Sequence, residues 1–224
     1  MIHRPEIKTL EENGYKWNDL FDIIKIFEDK ISRYTGAPYV TVTDCCTHAL
    51  ELSFRYLQKQ GIVKKVSFPS YTYLSVPMML KKIDIDYEML DHDWQGYYQF
   101  EPTNVVDMAI RFTKDCYIKN KFCCVSFGDK KVVKIIRGGA ILTDNQSAHD
   151  YFQRARYDGR DLKNVPWTGQ KEYEIGYHYN LSIDDCARGI ILMDELAKQG
   201  LHNKDAIDTG KKAYPNLKDY KFNF

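Results

Sequence analysis

Short apolar runs alternate along this chain with stretches that repeat apolar residues every three or four positions, and that alternation restricts the fold more than any other feature. Tyr39 to Thr43, Val66 to Phe68, Ile83 to Leu90, Asn104 to Asp107, Phe122 to Phe127 and Ala140 to Thr143 have strand composition. Between and around them, Trp17 to Tyr34, His48 to Lys59, Ser70 to Lys82, Asn145 to Tyr157 and Ile183 to Gln199 have helical spacing. In the first helix Leu20, Ile23, Ile24, Phe27, Ile31 and Tyr34 fall on one face, and Gly36 ends it. Strands alternating with helices predict an α/β fold, a mostly parallel sheet with helices on both faces.

The remaining segments are punctuation. Asp91 to Glu101 is polar and aromatic without a period and is expected as loop. Asp158 to Tyr179 carries Gly159, Pro166, Gly169 and Gly176 and is expected to be long and irregular, a kind of stretch that tends to be functional or interfacial. Residues 1–199 are expected to form one domain, with 1–16 as an N-terminal arm. Residues 200–224 are expected as a tail or a short docked helix.

Charge and composition exclude several classes of function. Lys and Arg total 32 against 31 Asp and Glu, a net of +1, so no global field favours nucleic acid or an anionic membrane. The start of the chain is polar, and no apolar run is long enough to span a bilayer. A cytoplasmic protein with reduced thiols is the expectation. Cys45, Cys46, Cys116, Cys123, Cys124 and Cys186 have no metal-ligand spacing, and no metal is expected.

Three places can carry chemistry. The loop from Ser126 to Gly139 follows a strand and holds Lys130, Lys131 and Lys134; a lysine there can form a Schiff base with a carbonyl, or the loop is a solvated basic hairpin. Asp44-Cys45-Cys46-Thr47 lies between a strand and a helix, the geometry of an anion site or of a plain helix cap. Asp107 is a carboxylate at the end of a buried strand.

Taken in order, these places resemble the DegT-type nucleotide-sugar aminotransferases over roughly Phe27 to Leu196. Phe27-Glu28 ahead of Tyr34-Thr-Gly-Ala37 is similar to that family's entry helix. Thr47-His48-Ala49-Leu50 resembles its phosphate turn, and Phe68-Pro-Ser-Tyr-Thr-Tyr73 its Pro-Ser-Phe-Thr-aromatic motif. Val105-Val106-Asp107-Met108-Ala109 resembles its Glu-Asp-x-Ala strand end. Ser126-Phe127, Lys131 and Gly138-Gly139 keep the spacing of its lysine loop, and Gly176-Tyr177-His178-Tyr179 stands at its dimer motif.

The resemblance implies the large domain of pyridoxal 5'-phosphate (PLP) fold type I. It implies PLP as cofactor, an amino-acid donor such as glutamate, a keto sugar on a nucleotide as acceptor, and a homodimer serving glycan synthesis. Lys131 would be the Schiff-base lysine and proton carrier, and Asp107 would pair with the pyridine nitrogen. Tyr73 would stack on the ring; otherwise it is a core aromatic. Ser126 and the turn Cys46, Thr47 and His48 would hold the phosphate, and His178 would reach the cofactor of a neighbouring subunit.

Departures are specific. Cys45-Cys46 replaces Ser-Gly, Ile110 replaces a His or Gln, Arg137 replaces an acidic residue, and His178 and Asn180 replace an Asn and an Arg. The chain also ends about where the family's small domain is expected to begin. The rival expectations are a sugar dehydratase, which carries a histidine where this chain has Lys131, and a non-catalytic relative acting as a partner subunit.

Overall fold

A computed structural model of the chain describes residues 4–161, 166–200 and 214–223. The expected α/β alternation is present. Helix α1 (Pro5–Glu12) and helix α2 (Asp22–Thr35) precede strand β1 (Tyr39–Thr43) and helix α3 (Cys46–Lys59). Strand β2 (Lys65–Pro69), helix α4 (Ser75–Lys82), strand β3 (Asp86–Leu90) and the two-residue strand β4 (Tyr98–Gln99) follow. Strands β5 (Val105–Asp107), β6 (Phe122–Ser126) and β7 (Gly139–Thr143), then helices α5 (Gln146–Ala155) and α6 (Ile183–Lys198), complete the order.

The five-stranded sheet runs β1-β7-β6-β5-β4, and β2 and β3 form a parallel pair. Strand β7 is antiparallel to β1 and to β6, β4 is antiparallel to β5, and β5 and β6 are parallel. Strands β1, β5 and β6 therefore share one direction, with β7 and β4 running against them. Ser67 and Glu101 exchange backbone bonds of 2.8 and 3.0 Å, which joins β2 to the chain leaving β4 and sets it parallel to β5. The mostly parallel expectation holds for strand direction, while the pairings are mixed.

Side chains alternate across the sheet and build two cores. Cys123, Val125, Ala140 and Leu142 face α1, α2 and α6, joining Leu10, Ile23, Phe27, Ile31, Ala187 and Ile190. Phe122, Cys124 and Ile141 face α3, α4 and α5, joining Leu50, Phe54, Leu80 and Phe152. That is the period of two of a strand buried on both faces. Burying each large side chain contributes roughly 1.5–3 kcal/mol.

Local chemistry sets the helix ends. Gly36 adopts φ 78°, where its lack of a Cβ removes the strain, and closes α2. Asn145 and Ser182 accept from Ala148 N and Asp185 N and cap α5 and α6.

Several expectations shift. The N-terminal arm holds α1, which buries Ile7 and Leu10. Helix α4 starts at Ser75 rather than Ser70, because Ser70 bonds Leu90 and Leu217 through its backbone instead. Strand β3 starts at Asp86, because Ile83 to Ile85 make the turn that closes α4. Within the expected loop Asp91 to Glu101, Tyr98 and Gln99 pair with Asp107 and Val106 as β4. Of the expected tail, residues 201–213 and 224 lie outside the described residues. Residues 214–223 pack back on the domain, with Leu217 buried and its N–H bonded to Ser70 O at 2.9 Å. No helix among the described residues is long and apolar enough to cross a membrane.

Candidate active site

Strands β1, β5 and β6 end at the same edge of the sheet, with the start of β7 between β1 and β6, and the segments at that edge enclose a cavity of about 1100 Å³. Cys45, Cys46 and Thr47 line it from the start of α3, Thr72, Tyr73 and Ser75 from the turn before α4, and Asp107, Ala109 and Ile110 from the end of β5. Ser126, Lys130, Lys131, Ile136 and Arg137 line it from the loop after β6, and Tyr214, Tyr220 and Phe222 from the C-terminal segment. Ligand sites of open α/β sheets form at such carboxyl ends of strands.

Asp107 is the buried charge of this cavity, 7% exposed. Its Oδ1 accepts from Ala109 N at 2.8 Å, and its Oδ2 accepts from the Tyr98 hydroxyl at 2.8 Å. Burial pushes its carboxyl above the usual range, against the opposing pull of the Ala109 N–H, the Tyr98 hydroxyl and the Lys131 charge. Asp107 makes no ion pair among the described residues. A carboxylate buried this way favours a cationic N–H partner supplied from the cavity.

Lys131 is held by a turn in which its N–H bonds Gly128 O at 3.0 Å. Val133 and Ile135 beyond it are buried and pin the loop to the core. Lys131 is half-buried, whereas Lys130 beside it is exposed. The charge of Lys131 acts on Asp107 and on Cys46.

Cys45 caps α3, its Sγ accepting from His48 N at 3.4 Å. Cys46 stands next to Asp107, and burial followed by that carboxylate pushes its thiol well up. Thr47 Oγ1 lies 2.7 Å from Ser75 Oγ, which joins the starts of α3 and α4. Ser126 Oγ accepts from Gly128 N at 3.4 Å, and Tyr73 stands at the mouth, 56% exposed.

Two expected site residues are not brought to this cavity. The His48 ring stacks on Tyr179 at 3.6 Å and 7°, and its Nδ1 lies 2.5 Å from Asp44 Oδ1. Burial pulls this imidazole down, but the Asp44 and Cys45 contacts outweigh it and lift it to about 9. Asp44 also takes Arg137 at 2.6 Å; burial raises its carboxyl, and these two cations bring it below the usual range. The side-chain donor atoms of Asp44, Cys45 and His48 lie within 4.8 Å of one another, already engaged by the helix cap and by Arg137. His178 lies outside the cavity, exposed, 3.2 Å from Asp158.

Tyr98, Thr72 and Tyr214 are site residues that sequence reasoning missed. Tyr98 sat inside an aperiodic stretch, and its one sequence signal was a position nine residues before Asp107 (107 − 98 = 9). Tyr214 is separated from the cavity's other segments by much of the chain, and nothing local marks it.

Residues 5–114 match the model of the DegT/DnrJ/EryC1/StrS aminotransferase family. None of the curated protein sequences compared matches the chain. Among solved structures, the sugar aminotransferase CalS13 from Micromonospora echinospora superposes with a TM-score of 0.67 at 14% identity, over 86% of this chain and 65% of that one. AtS13 from Actinomadura melliaura gives 0.70 at 14%, over 86% and 64%. PseC from Helicobacter pylori, an aminotransferase of pseudoaminic acid biosynthesis, gives 0.65 at 15%, over 88% and 64%. This chain therefore spans less than two thirds of the length of those relatives, and at such identities the likeness is one of fold. That fold is PLP fold type I, and residues 5–114 of the chain are similar to the DegT/DnrJ/EryC1/StrS aminotransferase family.

Proposed function

We propose that this chain is a PLP-dependent aminotransferase that moves an amino group from an amino acid such as glutamate to a keto sugar carried on a nucleotide. The observation that carries this reading is the pairing of a half-buried Lys131 with a buried Asp107 across one cavity.

PLP is the cofactor of this family, and the residues present fit it. Lys131 would hold it through its amine, and Asp107 would take its ring nitrogen. Tyr73 would cover a ring face, and Ser126 with the α3 start at Cys46 and Thr47 would take the phosphate. The α3 N-terminus adds unpaired N–H groups and a positive dipole end. When bound, the cofactor supplies an electron sink for the carbon that loses or gains the amino group. Asp107 keeps the ring nitrogen protonated by its charge. Lys131 Nζ moves the proton to and from the reacting carbon. Burial of Asp107 beneath Tyr98 keeps water from competing for it.

His178, exposed beside Asp158, is free to reach a second copy of the chain, and a homodimer completed in this way belongs to the same proposal. A second reading has specific support. The Cys46 side chain stands where the resemblance leads one to expect glycine, and Ile110 replaces a polar residue at the cavity wall. Both favour a PLP-fold chain without turnover that acts as a partner subunit.

Spectroscopy separates the two. Protein mixed with PLP should gain a visible absorbance band that glutamate bleaches. Borohydride should then fix the cofactor on Lys131, and Lys131→Ala should lose the band. A band that glutamate leaves unchanged favours the second reading. Label on another lysine, or no band, overturns the assignment.

A further inference from the structure

Strand β4 is two residues long, and its register sets Tyr98 directly opposite Asp107. Tyr98 is 4% exposed. Its hydroxyl lies 2.8 Å from Asp107 Oδ2 and 2.6 Å from Thr72 Oγ1. A phenol has one proton. With that proton given to Asp107, the Thr72 hydroxyl must donate to the phenolic oxygen. The order is therefore Thr72 to Tyr98 to Asp107, a directed chain of donors that ends on the carboxylate. Thr72 is the neighbour of Tyr73 in the turn that lines the cavity.

Every element packed around Asp107 presents a group to it. Lys131 comes from the loop after β6, Cys46 from α3, Cys124 from β6, Tyr98 from β4 and Tyr214 from the C-terminal segment. Burial pushes both thiols and both phenols up, so at neutral pH they carry no charge. That leaves Lys131 as the one charged group among them. The ionisation of Asp107 then rests on three supports against burial: the Ala109 N–H, the Tyr98 hydroxyl and Lys131.

We propose that Tyr98 is the positioning residue of Asp107, with Thr72 setting the direction of its hydroxyl. It fixes the plane of the carboxylate and keeps it ionised, so that the free lone pairs point at a protonated ring nitrogen. This rests on the PLP reading above for its last step only.

The test begins without cofactor. The Asp107 midpoint is read by carbon-13 NMR of Asp-labelled protein, assigned by the signal that Asp107→Asn removes. A hydrogen bond to a charged group corresponds to about one to two pH units, so Tyr98→Phe should raise the midpoint by about that much, and Thr72→Val by a smaller step in the same direction. PLP affinity, read by quenching of tryptophan fluorescence, should weaken about tenfold or more in Tyr98→Phe. Its loss on acidification should begin at a correspondingly higher pH. An unchanged Asp107 midpoint in folded Tyr98→Phe overturns the proposal. Should that variant not fold, an unchanged midpoint in Thr72→Val does the same. If the midpoint moves while wild-type protein takes up no PLP, the positioning role stands and the cofactor reading fails.

Discussion

Asp44 and His48 move each other's protons in opposite directions. The histidine is lifted from its ordinary value of 6.5 to about 9, and the carboxyl is brought below its own. The stability this gives has a defined pH window. A raised folded-state value contributes fully below the unfolded value of 6.5, and the contribution disappears as pH climbs through about 9. The site is partly solvated, so screening reduces the effect to on the order of 1 kcal/mol. Urea unfolding at pH 6 and pH 10 should show wild-type protein ahead of His48→Gln by about that amount at the lower pH, with the lead gone at the higher. A lead that stays constant would mean that stacking on Tyr179, not charge, holds His48.

At the scale of elements, the site depends on how closely the start of α3 approaches β7. A Cβ on Gly139 would lie 2.5 Å from Cys46 N and 2.6 Å from Cys45 C, too close for any side chain. Gly139→Ala must therefore push α3 off the sheet edge, at a cost of roughly 3 kcal/mol. The change should also weaken PLP uptake, since the α3 N-terminus moves with it. Gly169→Ala is the control. Its Cβ would meet nothing within 4 Å, and its effect should stay within about 0.5 kcal/mol. Denaturant midpoints of the two variants measure the contrast, and equal midpoints would show that the α3 approach is not tight. The glycine pair was legible in the sequence as part of a loop pattern. That its second member touches the helix start across the sheet was not legible, because the contact joins segments more than ninety residues apart.

The molecule as a whole is tied together by a buried ion pair on one flank of the sheet. Glu28 of α2, 6% exposed, takes Arg156 at 2.5 Å and the Val42 N–H at 2.9 Å. Arg156, just after α5, also donates to Val42 O at 2.8 Å. Two helices and β1 meet there. Removing one partner strands the other's charge in the core, so Glu28→Ala should cost about 3–5 kcal/mol. Chemical denaturation checks this, and a loss below about 1 kcal/mol would show that water reaches the pair. The sequence placed Phe27-Glu28 in a motif of the entry helix. It did not say that Glu28 serves packing rather than the cavity, because Arg156 is 128 residues away.

The sequence by itself determined the elements whose cause is local. Apolar periodicity marked the helices and the buried strands, Gly36 marked the end of α2, and motif order pointed to Asp107, Ser126 and Lys131. The tertiary structure decided what depends on partners brought in from afar. It turned an aperiodic stretch into β4, since Tyr98 and Gln99 become a strand only with β5 to pair against. It took His48 from the cavity, since Tyr179 and Asp44 offer its ring stacking and charge at once. It brought Tyr214 to the cavity wall, where that phenol stacks on Trp94. Local propensity acts over a few residues and is readable along the chain. Burial, cross-strand pairing and the balance of buried charge exist only once distant segments exclude water from one another.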